Sequence, residues 1–170
     1  MNAEESLAAR FEAQRPHLRA VAYRMLGSAD DADDAVQAAW LKLSRADLDQ
    51  VLNLSGWFTT VTAREWLDQL RARKRRQEVS LSAIEATSDV ASSAVPVEED
   101  VILTESVGRA LLVALDRLSP AQRVAFVLHD LFAVSFDEVG QALHRSPVAA
   151  KKLASRARER LSISVCVTMR

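Results

Sequence analysis

Residues 77–108 of this chain contain no lysine or arginine and seven acids, and they separate two basic segments that both read as helix. The first is Arg71-Ala72-Arg73-Lys74-Arg75-Arg76, at the end of a helical pattern. The second is the last helix of a helix-turn-helix pattern, residues 146–161, where Lys151, Lys152, Arg156, Arg158 and Arg160 stand against one acid, Glu159. A chain laid out in this way is expected to form two small lobes on an acidic tether rather than one continuous core. The formal net charge of −1 conceals the arrangement. Residues 1–77 carry 12 basic and 11 acidic side chains, whereas residues 106–170 carry 10 and 5, so the second lobe is distinctly positive. Two separated contacts on one nucleic acid are expected.

Apolar residues make up 49% of the chain and aromatics 5%, with four Gly and four Pro. That mixture favours an all-α fold over a sandwich or barrel. The single cysteine, Cys166, excludes an internal disulfide and fits a reducing cytoplasm. No stretch approaches the roughly 20 apolar residues of a membrane span. The N-terminus is acidic and lacks the profile of a signal peptide. A cytoplasmic protein with no membrane partner is expected.

In the first lobe Leu7, Phe11, Leu18, Val21, Ala22, Met25 and Leu26 recur at helical spacing. Pro16 predicts a break or kink among them, and Gly27 is placed to stop the helix as a left-handed cap. Ser28 with Asp31 three residues on opens a second helix in the manner of a capping box. Its inward stripe is Ala32, Val36, Ala39, Trp40 and Leu43; its outward stripe is Asp30, Asp34, Gln37 and Leu41. The cluster Asp30, Asp31, Asp33 and Asp34 has a bland explanation, since acids in a first turn complement the macrodipole by roughly 0.3–1 kcal/mol each. An acidic docking face for a basic partner is the alternative, and Leu41 beside Gln37 and Asp34 suits an interface core.

Residues 44–56 break the periodicity and read as a polar loop. Ser55 then caps a helix over 57–76 whose apolar side is Trp57, Phe58, Val61, Leu67 and Leu70. Cations are favoured at a helix C-terminus, but five in six residues exceed that need and repel one another unless a polyanion neutralises them. Residues 78–103 are rich in Ser, Ala, Val and acids and have no sustained period, which marks a linker. Four helices are expected after it. The first spans about 104–118; Ser119, Pro120 and Gln122 restart the chain as N-cap, N1 and N3 of the second. Ser135 and Glu138 open a short third helix ending near Leu143, and Ser146 and Pro147 open the last. A short helix, a tight turn and a longer basic helix form a helix-turn-helix pattern. Ala150, Leu153, Ala154, Ala157 and Leu161 are its packing stripe, leaving Val148, Lys151, Lys152, Ser155 and Arg156 outward for base edges and phosphates.

Taken together these residues resemble the extracytoplasmic-function (ECF) sigma factors of bacterial RNA polymerase over about residues 7–161. The resemblance rests on Gly27 followed by Asp31-Ala32-Asp33-Asp34-Ala35-Val36-Gln37 with Trp40-Leu41, and on Trp57-Phe58 with Asp68 and Arg71. In the second lobe it rests on Leu118-Ser119-Pro120-Ala121-Gln122-Arg123, Phe136-Asp137-Glu138-Val139-Gly140 and Ser155-Arg156-Ala157-Arg158. It implies a sigma-2-like domain at 5–77, an acidic linker at 78–103, a sigma-4-like helix-turn-helix domain at 104–161 and a tail at 162–170. It further implies that Asp31, Asp34, Gln37 and Leu41 dock on core polymerase. Asn53, Arg64, Arg71, Arg73, Lys74, Arg75 and Arg76 would meet the −10 strand, where flipping a base costs a few kcal/mol offset by a pocket and by phosphate contacts. Val148, Lys151, Lys152, Ser155, Arg156 and Arg158 would read the −35 duplex. The implied partners are core RNA polymerase, promoter DNA and an anti-sigma factor or other regulatory domain, with no cofactor or metal.

The sequence departs from the family at Arg64, where an Asn is common, and in the recognition helix. That helix reads Val148-Ala149-Ala150-Lys151-Lys152-Leu153-Ala154, similar to the subgroup with an added C-terminal SnoaL-like domain. Residues 162–170 leave no room for that domain, so the chain is expected to be a truncated form or of a branch without it. Ile163, Val165, Val167 and Met169 alternate as a strand would, over too short a stretch to decide. A compact free state in which the two lobes occlude each other is compatible with this layout.

Two other function classes fit less well. A stand-alone helix-turn-helix regulator needs a dimer interface to match half-sites, and no spare apolar helix supplies one. An enzyme is not expected: His17, His129 and His144 are scattered, Cys166 lies in the tail, and no Gly-rich phosphate loop or Gly-x-Ser-x-Gly motif is present.

Overall fold

A computed structural model describes residues 3–46, 53–83 and 99–168. Among the described residues the chain forms seven α-helices and one π-helical turn, with no strand. The first lobe holds α1 (Ala3–Leu26), α2 (Ala29–Leu43) and α3 (Leu54–Ala83); the second holds α4 (Glu99–Leu115), α5 (Pro120–Phe126), the π turn Val127–Leu131, α6 (Phe136–Leu143) and α7 (Pro147–Thr168).

Local hydrogen bonds set the helix ends. Gly27 has φ +75° and its N–H donates to the Tyr23 carbonyl at 2.8 Å, ending α1 in the left-handed region where a side chain would be strained. Ser28 Oγ accepts from the Asp31 N–H and starts α2. Ser119 and Gln122 form the full reciprocal capping box on α5. Ser135 and Ser146 cap α6 and α7 in the same manner, each accepting from the N–H three residues on.

The helices differ from the sequence expectation at several points. Helix α1 runs unbroken through Pro16; Phe11 on one side and Leu18, Val21 and Met25 on the other are buried, and that packing outweighs the roughly 3 kcal/mol a mid-helix proline costs. Helix α3 starts at Leu54 because Asn53, not Ser55, receives the first free amides: Gly56 N–H donates to Asn53 Oδ1 and Trp57 N–H to the Asn53 carbonyl. It also continues past Arg76 to Ala83, and α4 begins at Glu99, so both ends of the expected 78–103 linker are helical; residues 84–98 lie outside the described part. Helix α7 extends to Thr168, which makes residues 162–168 helix rather than strand.

In the first lobe the Phe11 ring sits 5.0 Å from Trp40 and 5.4 Å from Phe58, joining the three helices at one point. Trp66, absent from the expected apolar stripe, is fully buried in that core. The second lobe packs Leu115, Val124, Leu128, Val139 and Leu143 against Ala150, Ala154 and Ala157. The small alanines let α7 approach its neighbours closely, and each is wholly buried.

The two lobes pack against each other and share one hydrophobic core. Arg64 donates from Nη2 to the Gln141 carbonyl at 3.0 Å, and Arg123 donates from Nη2 to the Arg24 carbonyl at 3.1 Å. The His17 ring meets Phe132 edge-on at 5.5 Å. No helix among the described residues is long and apolar enough to cross a membrane.

Candidate polymerase and nucleic-acid interfaces

Three surfaces emerge from this packing. On α2, Trp40 turns inward onto Phe11, which leaves Leu41, about 100° further round the helix, pointing out. Leu41 is 47% exposed. Asp30, Asp31, Asp34 and Gln37 are exposed on the same helix. Asp33 is drawn aside by Arg19, whose Nε donates to it at 2.6 Å. That hydrogen bond holds the Asp33 carboxyl below its ordinary pKa and raises Arg19. The acidic cluster therefore splits into one aspartate used within the fold and an outward group that includes Asp34.

Helix α3 carries the second surface. Because it runs to Ala83, the cations at 71–76 are not at its C-terminus, and the macrodipole does not account for them. Arg71, Lys74, Arg75 and Arg76 are exposed. Arg73 is also exposed but donates from Nη1 to the Leu26 carbonyl at 2.6 Å, closing the end of α1. Arg64, expected at the −10 strand, donates to the Gln141 carbonyl of α6, and its Nε is buried with no partner among the described residues. Asn53 is exposed at the start of α3. Beside it, a Cβ on Gly56 would lie 2.7 Å from Glu138 Oε1, so an acid of α6 abuts the head of α3. Lys42 pairs with Glu65 and ties α2 to α3.

The third surface is the outer face of α7. Val148, Lys151, Lys152, Ser155 and Arg156 are all exposed, with Val148 at 65%. The helix is aimed by the turn before it, where His144 adopts φ 53° and Arg145 N–H donates to the Gly140 carbonyl at 2.8 Å. Arg158 differs from the other cations. Its Nη1 donates to Asp130 at 2.7 Å, bracing α7 against the π turn.

Sequence reasoning passed over the Arg123 clasp. The side chain is 3% exposed, and its Nη1 donates to Asp116 at 2.6 Å while its Nη2 reaches across to α1. Burial lowers its pKa from the ordinary guanidinium value, with Asp116 opposing the shift. The cue available was an arginine at the head of a run of apolar residues, Val124 to Leu128, at a capped helix start.

Comparison with known proteins shows the family. Residues 10–76 match the family described as Sigma-70 region 2, and residues 108–161 match Sigma-70, region 4. The chain is 42% identical over 158 residues to the ECF RNA polymerase sigma factor SigJ of Mycobacterium tuberculosis, a match over 88% of this chain and 48% of that protein. It therefore spans about half the length of that curated relative. RNA polymerase sigma factor CarQ of Myxococcus xanthus is 31% identical over 153 residues, 89% of this chain and 84% of CarQ. The crystal structure of M. tuberculosis SigJ superposes with a TM-score of 0.64 at 39% identity, over 91% of this chain and 53% of that one. The sigma factor RpoE in complex with the anti-sigma factor NepR from Bartonella quintana superposes with a TM-score of 0.66 at 25% identity, over 96% and 98%. With both sigma-70 regions in order on two helical lobes, the chain belongs to the extracytoplasmic-function sigma factors of bacterial RNA polymerase.

Proposed function

We propose that the chain directs bacterial core RNA polymerase to promoters, in the cytoplasm where that enzyme works, and performs no catalysis itself. The observation that carries this reading is the pairing, in one chain, of an outward acidic α2 face centred on Leu41 with an outward basic face on the second helix of a helix-turn-helix. A polymerase adaptor needs both; a stand-alone regulator needs only the second, plus a dimer interface.

In this reading residues 5–77 dock on polymerase through Asp31, Asp34, Gln37 and Leu41. They take the −10 strand on Asn53, Arg64, Arg71, Lys74, Arg75 and Arg76, with Arg73 shared between the strand and the end of α1. Residues 104–161 read the −35 duplex through Val148, Lys151, Lys152, Ser155 and Arg156, while Arg158 chiefly holds the helix in place. Residues 78–103 span the two. The closed packing of the lobes turns Arg64 away from solvent, so promoter engagement requires the lobes to separate. An anti-sigma factor, such as the NepR bound to RpoE, or a regulatory domain would act by biasing that step.

The test is co-elution of the purified chain with bacterial core RNA polymerase on a sizing column, repeated with Asp34→Arg. Stoichiometric co-elution that the substitution abolishes is the expected result. Failure to co-elute, with direct duplex binding by the free chain, overturns the reading in favour of the stand-alone regulator.

A further inference from the structure

The closed packing covers the two proposed DNA faces unequally. Helix α6 lies on the head of α3: Arg64 Nη2 donates to the Gln141 carbonyl at 3.0 Å, and a Cβ on Gly56 would lie 2.7 Å from Glu138 Oε1. Glu138 and Gln141 are three residues apart, neighbours on one face of α6. Gly56 and Arg64 stand about 12 Å apart along α3. The contact therefore follows roughly two turns of that helix rather than touching it at one point. A strand seated on the exposed Arg71, Lys74, Arg75 and Arg76 and carried back past Arg64 towards Asn53 meets α6, where Glu138 sets a carboxylate in its way.

The reading face of α7 is open in the same structure. Val148 is 65% exposed, and Lys151, Lys152, Ser155 and Arg156 are exposed with it. Helix α7 approaches the first lobe at its other end, where Arg160 shares the wall of a cavity with Arg73 and Lys74 of α3. Arg160 lies about 12 Å along the axis from Lys152 and about 18 Å from Val148. In a helix-turn-helix the N-terminal residues of the second helix contact base edges, and here they form the end remote from the seam. We propose that the chain reads duplex DNA with its lobes closed, and that capture of the single strand is the step that requires them to part. Full engagement of a promoter then has a built-in order, duplex contact first and strand capture second. The inference rests on the proposed assignment of α7 to duplex and α3 to strand. Linkage gives it measurable content. A ligand with equal affinity for both arrangements leaves their ratio unchanged, whereas one that needs the open arrangement draws the population towards it. Strand affinity is also reduced by the open fraction, so weakening closure strengthens strand binding by the same factor while closed molecules dominate.

The test uses the full chain with Cys166→Ser and fluorophores on Ala13→Cys in α1 and Glu159→Cys in α7, both exposed positions. Single-molecule energy transfer reads the distance between the lobes during titration with a mixed-sequence duplex of about 20 base pairs or a thymidine oligonucleotide of the same length. Duplex-bound molecules are expected to keep the closed distance and strand-bound molecules to show a longer one. His17→Ala removes an edge-on ring contact with Phe132 between the lobes, outside both DNA faces. It is expected to raise strand affinity roughly two- to tenfold and to leave duplex affinity within about twofold. Duplex that binds in proportion to lobe opening, or strand that binds without opening, overturns the inference. Lys151→Ala with Lys152→Ala tells its failure from that of the assignment beneath it. Duplex affinity indifferent to the double variant overturns both. Duplex that depends on these lysines yet opens the lobes leaves the assignment standing and removes the order of contacts.

Discussion

Arg64 donates from Nη2 to the main-chain carbonyl of Gln141 at 3.0 Å, linking α3, the helix proposed to meet the −10 strand, to the first helix of the helix-turn-helix. The same side chain cannot hold α6 and contact DNA together. Its buried Nε has no partner among the described residues, a cost that separation of the lobes would relieve. The bond still favours closure, because a charged donor to a carbonyl contributes about 1.5–3 kcal/mol, less here for partial exposure. Arg64→Ala is therefore expected to raise the open-to-closed ratio roughly tenfold. Distance distributions between labels on α2 and α7 report this directly, and an unaltered distribution would show that Arg64 is not a latch.

The helix starts were legible in the sequence because a cap is a bond between residues three apart: Ser28 to Asp31, Ser119 to Gln122, Ser135 to Glu138 and Ser146 to Ala149. The outward faces of α2 and α7 followed from periodicity alone. The late end of α3 did not, since residues 77–81 are exposed and offer no apolar stripe facing the core. Nor did the clasp between lobes, whose bonds join residues 77 and 99 positions apart and whose acceptors are main-chain carbonyls that any residue carries. Arg64 and Arg73 accordingly read as nucleic-acid contacts when each also has a partner inside the fold.

The cations of α7 should separate by role. Lys151 and Lys152 are exposed with no ion pair among the described residues, whereas Arg158 is paired with Asp130. Each phosphate neutralised contributes a slope of about 0.9 to the dependence of log K on log salt. Lys151→Ala with Lys152→Ala is expected to flatten that slope by up to about two on −35 duplex, and Arg158→Ala by less than one. Fluorescence anisotropy across a salt series measures both. An unchanged slope in the double variant would remove α7 as the duplex reader.

Gly140 sets how tightly the helix-turn-helix closes. A Cβ there would lie 2.7 Å from the Arg145 carbonyl oxygen and 3.3 Å from the Pro147 nitrogen, both main-chain atoms that cannot swing aside. Gly140→Ala is expected to cost about 1–3 kcal/mol through overpacking and to weaken duplex binding by shifting α7. Gly108→Ala is the control: among the described residues its Cβ would meet only the end of the Arg24 side chain at 3.7 Å, and helix propensity favours alanine by up to about 1 kcal/mol. Thermal melts of the two variants should move in opposite directions. Equal melts would mean that the turn relaxes freely around residue 140.

Trp66 separates packing from polarity in the first lobe. The ring is fully buried, yet its indole Nε1–H has no hydrogen-bond partner among the described residues. Truncation to alanine loses the transfer energy and leaves a cavity, so Trp66→Ala is expected to cost about 3–5 kcal/mol. Trp66→Phe keeps much of the apolar contact and deletes the unsatisfied donor, whose burial itself costs on the order of 1–3 kcal/mol. The loss of ring volume and the relief of that donor oppose each other, and Trp66→Phe should fall within about 1.5 kcal/mol of the parent. Urea unfolding of the three proteins provides the comparison. A phenylalanine variant as unstable as the alanine one would mean that the indole N–H has a partner, a bound water for example, and that α3 is held in the core by that polar contact rather than by the fit of the ring.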